Sequence, residues 1–245
     1  MQGEEKIKKQ YATMASEGYH KTEAAERAKA MGYSEEEMAS VPGEAVMGVG
    51  CGNPTALADL KEGETVLDLG CGGGLDAFLA ARRVGRTGKV IGVDMTPEMI
   101  EKARANAAKG DYPNVEFRLG DIEHLPVADG SVDAVISNCV MNHSPDKLAT
   151  FREAFRALKQ GGRILVSDLV TEGEIPGEVI RELDEAWAMW FAAKPLDRQA
   201  YLDAIRKAGF RDLTVVAERA FDYPGMDARL AGKLASIQVR AYRAV

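Results

Sequence analysis

Two acidic residues and a set of glycines form the strongest chemical pattern in this sequence. Asp68 precedes Gly70, Gly72 and Gly74, and Asp94 follows 20 residues after the last of these glycines. The glycines remove every Cβ where the chain must turn sharply after a buried strand. An acid at the tip of the next strand accepts hydrogen bonds from ribose hydroxyls held over such a turn. The pattern therefore predicts a binding site for a ligand that contains adenosine.

The spacing of the glycines distinguishes between two kinds of adenosine ligand. A dinucleotide turn has the pattern G-x-G-x-x-G and brings the backbone against a pyrophosphate. Leu75 stands here where the last glycine of that pattern would be. An acid followed by alternate glycines resembles motif I of the S-adenosylmethionine-dependent methyltransferases. The resemblance implies S-adenosylmethionine as the cofactor. A tight strand-to-helix turn without a ligand is the alternative, and Asp94 together with the strands that follow disfavours it.

Composition and charge narrow the class of protein. The 245 residues are 46% hydrophobic and 28% charged, which suffices for one elaborated α/β domain. The net charge of −7 disfavours a nucleic-acid partner, which requires a clustered basic face. No stretch has the roughly 20 apolar residues of a membrane span, and the first residues lack the apolar centre of a signal peptide. We therefore expect a cytoplasmic protein with a small-molecule substrate and three reduced cysteines.

The hydrophobic pattern predicts N-terminal helices followed by alternating strands and helices. Residues 4–39 are expected to be helical in two or three pieces, the last opened by a capping box at Ser34, and a flexible glycine-rich run follows over residues 43–52. The expected strands are 64–69, 89–94, 115–119, 132–137 and 163–168. The expected helices are 75–84, 97–109 and 145–159. The last of these helices is expected to end at the glycine stop Gly161-Gly162. This alternation predicts a parallel sheet covered on both faces, with ligands at the carboxyl ends of its strands.

The last third of the chain has a different pattern. We expect a helix over residues 180–193 that carries Trp187 and Trp190, a second helix over 197–208, and strands over 213–218 and 236–241. Methyltransferases of this class close their sheet with a hairpin whose final strand is antiparallel, and the two strands fit that arrangement. The two tryptophans either fill a core or contact the substrate.

The predicted fold is therefore α/β, with a doubly wound, seven-stranded, mostly parallel sheet of the Rossmann-like, class I methyltransferase type. Three parts are expected along the chain: an N-terminal helical segment (1–45), an S-adenosylmethionine-binding core (46–172), and C-terminal substrate-side helices with the closing strands (173–245).

Several residues beyond the glycine turn are expected to contact the cofactor. Met95, next to Asp94, is expected to pack against the adenine. Asp121 or the backbone of Ile122 and Glu123 can reach the adenine amine, with a helix N-cap as the alternative role. The full expected cofactor set is Asp68, Gly70, Gly72, Gly74, Asp94, Met95, Asp121, Ile122 and Asn138.

Two further segments resemble the arsenite methyltransferase family. The first is Tyr33 to Pro42 followed by Gly50-Cys51-Gly52-Asn53-Pro54, and the second is Ile136-Ser137-Asn138-Cys139-Val140-Met141-Asn142. The resemblance covers residues 33–170 most strongly. It implies that Cys51 and Cys139 are the catalytic residues and that they bind trivalent arsenic as the substrate.

The chemistry of such a site is simple. Trivalent arsenic is a soft centre, and thiolates are the soft ligands that a protein offers. Arsenic bound to sulfur keeps its lone pair, which can attack the sulfonium methyl in line. No general base is needed, so catalysis depends on positioning and on a dry site. This agrees with the absence of a convincing His/Asp pair in the sequence.

The sequence also departs from the family. Trp190 stands where the family commonly has a third cysteine, and two thiolates leave one arsenic valence for a methyl group, glutathione or solvent. The expected substrate is therefore arsenite, methylarsenite or a thiol conjugate. The alternatives are methyl transfer to another small molecule or metalloid, and a metalloid-sequestering protein with little turnover.

Three other side chains have a less specific pattern. Cys71 lies inside the glycine turn and is not expected to bind arsenic. His143 is expected to be solvated or to line the substrate side, and Asp168 is expected to be structural or orienting.

Overall fold

The computed structural model describes residues 2–17, 21–183, 187, 191, 194–221 and 226–244 of the chain. Helices and strands alternate through the middle of the sequence, as the hydrophobic pattern predicts. The helices are α1 (Gln2–Glu17), α2 (Lys21–Met31), α3 (Glu35–Ala39), α4 (Pro54–Leu57), α5 (Leu75–Val84), α6 (Pro97–Lys109), α7 (Lys147–Ala157), α8 (Gly177–Glu182) and α9 (Arg198–Lys207). The strands are β1 (Thr65–Leu69), β2 (Lys89–Asp94), β3 (Val115–Leu119), β4 (Val132–Asn138), β5 (Leu158–Thr171), β6 (Arg211–Ala220) and β7 (Leu234–Tyr242).

One seven-stranded sheet, in the order β3-β2-β1-β4-β5-β7-β6, organises the fold. Strands β1 to β5 are parallel, and β7 is antiparallel to both β5 and β6. The doubly wound, seven-stranded sheet with an antiparallel final strand is thus confirmed. The strand order reverses between β1 and β4, and this is the place where open α/β sheets bind ligands.

Alternate residues of the strands supply two apolar clusters, one on each face of the sheet. On one face Leu67, Val135 and Val166 pack with side chains of α7 and α9, among them Phe151 and Tyr201. On the other face the strands pack with α5, α6 and the N-terminal segment, in a cluster that includes Val66, Ile136, Phe78, Ile100 and Tyr33. Both faces are covered, so the sheet presents only its ends to ligands.

The N-terminal prediction of helices over residues 4–39 is confirmed, including the capping box. The Ser34 hydroxyl accepts from the Glu37 N–H at 3.0 Å, and the Glu37 carboxylate accepts from the Ser34 N–H at 3.0 Å. The glycine-rich run that follows is irregular except for a short 3₁₀ turn at Gly43–Ala45. Helix α1 packs on α6, the helix that follows β2.

Helix α7 is shorter than predicted. It ends at Ala157 rather than reaching Gly161, because Leu158 is already extended and pairs with Val132 as the first residue of β5. Gly161 has a φ of 75° and donates its N–H to the Arg243 carbonyl, so the glycines bend the start of the strand instead of stopping a helix.

The prediction of one helix over residues 180–193 is also wrong at its start. Helix α8 begins earlier, at Gly177, and ends at Glu182, because Leu183 is extended with a ψ of 156°. Trp187 lies in an apolar cluster and meets Phe221 edge-to-face at 6.2 Å between ring centroids. Trp190 lies outside the described residues. Among the helices that the structure describes, none is long and apolar enough to cross a membrane.

A nearly buried ion pair fastens the start of β1 to β5. Arg163 donates to both oxygens of Glu64 at 2.7 Å, and it also donates to the carbonyls of Ala58 and Asp59 at 2.7 and 2.6 Å. The two side chains are only 12% and 16% exposed, so the charges are shielded from water. Removing one partner of such a pair leaves the other charge poorly solvated.

We expect Arg163→Met to lower the free energy of unfolding by about 3 kcal/mol, because it strands the Glu64 carboxylate and two backbone carbonyls. Urea denaturation measures the change. The matched control is Arg86→Met, which breaks the exposed pair between Arg86 and Asp111 and is expected to leave the midpoint almost unchanged. Equal midpoints for the two variants would contradict this account.

Candidate functional site

A cavity opens at the carboxyl ends of β1, β2 and β4, where the strand order reverses. The glycine turn after β1 forms its floor, and Asp94 and Met95 at the end of β2 line one side. Ile7 and Tyr11 of α1 also line it, so the N-terminal helix closes the cavity from outside. The cavity continues to Cys139 at the end of β4.

The Asp94 carboxylate is held in place by the two turns that flank it. Its Oδ2 accepts from the Gly72 N–H at 3.0 Å, and its Oδ1 accepts from the Thr96 N–H at 2.9 Å. Burial raises the pKa of Asp94 above its ordinary value, although these two hydrogen bonds act to lower it. The carboxylate is therefore positioned before any ligand arrives, and part of its acceptor capacity faces the cavity.

Two more carboxyl groups, Asp68 and Asp76, are buried beside the glycine turn. Burial and the neighbouring charges of Asp76 and Asp94 raise the pKa of Asp68 well above its usual range. Burial likewise raises the pKa of Asp76 to about 6. One Asp68 oxygen, Oδ2, has no hydrogen-bond partner among the described residues, although it is buried. Such an oxygen favours a ligand with a positive charge or an N–H donor at this end of the cavity.

Seven of the nine sequence-predicted cofactor residues line this cavity: Asp68, Gly70, Gly72, Asp94, Met95, Ile122 and Asn138. Gly74, the N-cap of α5, is not among the described lining residues. Gly72 has a φ of 50°, and a Cβ there would meet no atom within 4 Å, so the turn leaves space for a ligand. Asp121 is exposed and is likewise not among the lining residues that the structure describes.

A second cluster lies beside the cavity, where Cys51, Cys139 and Asp168 come together. One ligand atom from each, the two sulfurs and a carboxylate oxygen, lie within 4.8 Å of one another. Cys51 and Asp168 are fully buried, and Cys139 is half-buried at the wall of the cavity. A hydrogen bond with the Cys51 thiol and burial raise the pKa of Cys139 well above its ordinary value. The cluster offers two soft ligands and one hard ligand to a single atom.

The Asn138 side chain holds the Cys51 loop in this position. Its Oδ1 accepts from the N–H groups of Cys51 and Gly52 at 2.9 and 3.3 Å, and its Nδ2 donates to the Gly52 carbonyl at 2.8 Å. Nδ2 also donates at 2.8 Å to the hydroxyl of Tyr33, which itself donates to both oxygens of Asp76. Asn138 was expected at the cofactor. It does line the cavity, but its amide is occupied by the thiol loop, and a contact with the cofactor stays a prediction.

The two glycines that flank Cys51 let its loop approach the strand ends closely. A Cβ on Gly50 would lie 2.8 Å from Asn138 Nδ2, and a Cβ on Gly52 would lie 2.1 Å from Ser167 Oγ. The Cys51 carbonyl is anchored from the other side, because it accepts from the Ser236 hydroxyl at 2.6 Å and from Arg219 at 3.2 Å. Strands β6 and β7 thus fix the loop from the C-terminal end of the chain.

Cys139 has a strained backbone. Its φ is 62°, in the left-handed region that a residue with a Cβ adopts only at a cost of about 1–3 kcal/mol. Its N–H donates to the Ser167 carbonyl at 2.7 Å, so the chain is still tied to β5 when it leaves the sheet. Strain of this kind persists where the surrounding structure fixes it, and here it places the Cys139 thiol beside Cys51.

Apolar side chains surround the cluster on one side, while the Ser167 hydroxyl and Asn138 Oδ1 lie 3.6 and 3.8 Å from the Cys51 sulfur. Leu169, Leu183, Phe191, Leu230 and Leu234 are buried around Cys51, with Trp187 packed against them. Trp187 thus packs in the apolar cluster around Cys51, and a contact of its ring with the substrate stays a prediction. These apolar side chains keep water from the sulfurs. Methyl transfer without a general base requires such a dry site.

The two remaining residues, Cys71 and His143, both line the cavity. Cys71 is buried in the glycine turn, where burial raises its pKa, and it is not a member of the thiol cluster. His143 lines the cavity rather than standing free in solvent, and burial lowers its pKa to about 4. The Tyr11 hydroxyl lies 3.3 Å from His143 Nε2, which joins α1 to the short 3₁₀ turn that follows β4.

Sequence reasoning missed three residues of the site. Tyr33 and Asp76 form the support behind Asn138, and Asn142 ties the turn after Cys139 to β5 by donating to the Leu169 carbonyl at 2.6 Å. Asp168 was noticed but was not placed with the cysteines. Asp168 lies near the carboxyl end of β5, and β5 pairs in parallel with β4, which carries Asn138 at its end. This position indicates the same edge of the sheet as Cys139.

Comparison with known proteins agrees with this geometry. Residues 60–209 match the family described as "Methyltransferase domain". The chain is similar to the arsenite methyltransferase of Halobacterium salinarum, with 51% identity over 76% of this chain and 47% of that protein. It is similar to the arsenite methyltransferase of Aquipseudomonas alcaligenes, with 38% identity over 76% of this chain and 54% of that protein. The chain thus spans about half the length of the curated relatives that it matches.

A solved structure covers more of the chain. CrArsM, an arsenic(III) S-adenosylmethionine methyltransferase from Chlamydomonas reinhardtii, superposes with a TM-score of 0.69 at 32% identity, over 89% of this chain and 74% of that chain. The chain belongs to the arsenite methyltransferase family. Membership in this class I methyltransferase family implies the use of S-adenosylmethionine, and the cavity described above is where the fold binds ligands.

We expect Gly52→Ala to lower the free energy of unfolding by about 1–3 kcal/mol, because the added methyl overlaps the Ser167 hydroxyl and pushes the Cys51 loop outward. Urea denaturation measures the loss. Gly43→Ala, at the start of the same run, is the matched control, since a Cβ there meets no atom within 4 Å. Gly52→Ala as stable as Gly43→Ala would show that the loop does not lie against β5.

Proposed function

We propose that this chain transfers a methyl group from S-adenosylmethionine to a trivalent arsenical held by Cys51 and Cys139. The observation that carries the proposal is the meeting of two thiols from separate segments at the wall of the cofactor cavity. The names of the relatives support the same activity. An ordinary methyltransferase acting on an oxygen or nitrogen has no need of a thiol pair at this place.

The chain's carboxylates suit the cofactor. Asp94, fixed by the Gly72 and Thr96 N–H groups, is the acceptor for the ribose hydroxyls. Asp68, with its unpartnered Oδ2, is the acceptor for the ammonium of the methionine portion. Met95 and Ile122 line the part of the cavity next to Asp94 and pack against the adenine. When bound, the cofactor supplies a methyl group on a positively charged sulfur.

The thiols suit the arsenical. Loading is a ligand exchange, in which two S–H groups replace two hydroxyls of arsenite and two water molecules leave. The oxidation state of arsenic does not change in this step. Asn138, Gly52 and Ser236 hold Cys51 while the strained backbone holds Cys139, so the two sulfurs are positioned before the arsenical binds. Such preorganisation lowers the entropic cost of bringing the reacting atoms together.

Asp94→Ala tests the cofactor assignment. We expect the variant to bind S-adenosylmethionine more weakly by about 1.5–3 kcal/mol per lost charge-assisted hydrogen bond, at most. Isothermal titration calorimetry measures the affinity. Glu98→Ala is the control, because Glu98 is an exposed acid in the first turn of α6 and does not line the described cavity. Unchanged affinity in Asp94→Ala would refute the assignment, and tighter binding of a nicotinamide dinucleotide would refute the choice of cofactor.

Single cysteine substitutions test the substrate assignment. We expect Cys51→Ser and Cys139→Ser each to abolish arsenical binding and to leave cofactor affinity intact, since serine is a hard ligand that stays protonated at neutral pH. Anaerobic formation of S-adenosylhomocysteine with arsenite and with methylarsenite measures turnover. Cys71→Ser is the control for arsenical binding, because Cys71 lies outside the thiol cluster.

The outcomes separate the alternatives. Full turnover of both arsenicals by both cysteine variants would contradict the substrate and leave only methyl transfer to another acceptor. Cysteine-dependent arsenical binding without any S-adenosylhomocysteine would instead favour a metalloid-sequestering protein.

A further inference from the structure

We propose that Asp168 completes the arsenical site by accepting a hydrogen bond from a hydroxyl that stays on arsenic, so that the site selects inorganic arsenite over methylarsenite. This inference rests on the proposed function, because it takes Cys51 and Cys139 as the two sulfur ligands. It goes further in assigning a third member of the site and a preference between substrates.

The position of Asp168 is the first step. Its carboxylate reaches within 4.8 Å of both cysteine sulfurs, and its side chain is fully buried. A buried carboxylate next to two thiols is costly unless it is satisfied by hydrogen bonds or serves a ligand. The Cys51 sulfur also lies 3.6 Å from the Ser167 hydroxyl and 3.8 Å from Asn138 Oδ1, and Asp168 adds a carboxylate to these polar neighbours.

The hydrogen bonds of Asp168 are the second step. Oδ1 accepts from the Leu169 N–H at 3.0 Å, and Oδ2 accepts from the Asn142 N–H and the Tyr201 hydroxyl at 3.2 Å each. Three donors thus hold the carboxylate in one orientation. A carboxylate offers about four acceptor positions, so the three contacts among the described residues leave room for one more donor.

The chemistry of the substrate supplies that donor. Arsenite, As(OH)₃, reacts with two thiols to give a dithiolate that keeps one As–OH group, and two water molecules leave. Methylarsenite, CH₃As(OH)₂, reacts with two thiols to give a dithiolate that keeps only its methyl group. The first product can donate a hydrogen bond to Asp168. The second places a methyl group against a buried carboxylate and donates nothing, which leaves that acceptor unsatisfied.

The sequence leaves the third position on arsenic open. Trp190 stands where the family commonly has a third cysteine, so this chain does not supply a third sulfur from that place. A hydroxyl held by Asp168 would fill the valence that a third thiolate would otherwise fill.

Binding of the two arsenicals to the cofactor-free protein tests the proposal. Calorimetry measures the affinity of the protein for each arsenical, and the same measurement on dithiothreitol gives the intrinsic preference of two thiols. The excess preference is the arsenite-to-methylarsenite affinity ratio of the protein divided by that ratio for dithiothreitol. We expect the wild-type protein to show an excess preference for arsenite of about tenfold, the cost of leaving one buried acceptor unsatisfied. A preference equal to that of dithiothreitol, or one for methylarsenite, would overturn the proposal.

Asp168→Asn tests the residue itself. The amide keeps the size of the side chain but has lost the carboxylate, so we expect the excess preference to fall by about tenfold. Tyr201→Phe is the matched control, because it removes one of the three donors to Asp168 and leaves the open acceptor position intact; we expect its preference to stay near the wild-type value. Equal weakening of both arsenicals in Asp168→Asn would mean that Asp168 only anchors the loop, and would overturn the proposal.

These results are distinct from a failure of the proposed function. A wild-type protein that binds neither arsenical refutes the thiol site itself. A wild-type protein that binds both through its cysteines, with no excess preference for arsenite, refutes only the role of Asp168. If Asp168→Asn does not fold, the wild-type comparison with dithiothreitol still decides the matter.

Discussion

The amide of Asn138 is the interaction on which the arrangement of this site depends. It lies at the end of β4, one residue before Cys139, and holds the backbone of Cys51 and Gly52 with both its oxygen and its nitrogen. An amide that donates and accepts in this way can replace the pairing that a neighbouring strand would provide. The loop thus becomes an extension of the sheet edge, and two cysteines 88 positions apart in sequence become neighbours in space.

The same amide joins two chemically different halves of the pocket. On one side, through Tyr33, it contacts the group of buried carboxyls that includes Asp76 and suits a positively charged cofactor. On the other side it contacts the thiol loop, which has apolar side chains and the carboxylate of Asp168 as neighbours. Asn138 therefore lies between a group of buried carboxyls and a pair of thiols. Because the two halves share one hydrogen-bonded network, we expect disturbance of Tyr33 or Asp76 to reach Cys51 as well.

The sequence predicted the central sheet well because its signals are local. Buried strands, helix caps and the glycine turn each depend on residues close in sequence, and β2, β3, α5 and α6 were predicted with the bounds that the structure shows. The pairing of Cys51 with Cys139 came from the resemblance to a family, since no local pattern links them. Asp168 was not placed beside the cysteines, because that proximity depends on which strand lies next to β5. The end of α7 was wrong because Gly161 and Gly162 have the composition of a helix stop, whereas the pairing of Leu158 with Val132 decides the structure.

The central claim is that one arsenic atom is bound by the sulfurs of both Cys51 and Cys139. X-ray absorption at the arsenic edge, on protein loaded with one equivalent of arsenite, measures the atoms bound to arsenic directly. This account predicts two sulfur neighbours in the wild-type protein and fewer than two in either single cysteine variant. A shell of oxygen alone, or two sulfurs that persist when both cysteines are replaced by serine, would contradict it.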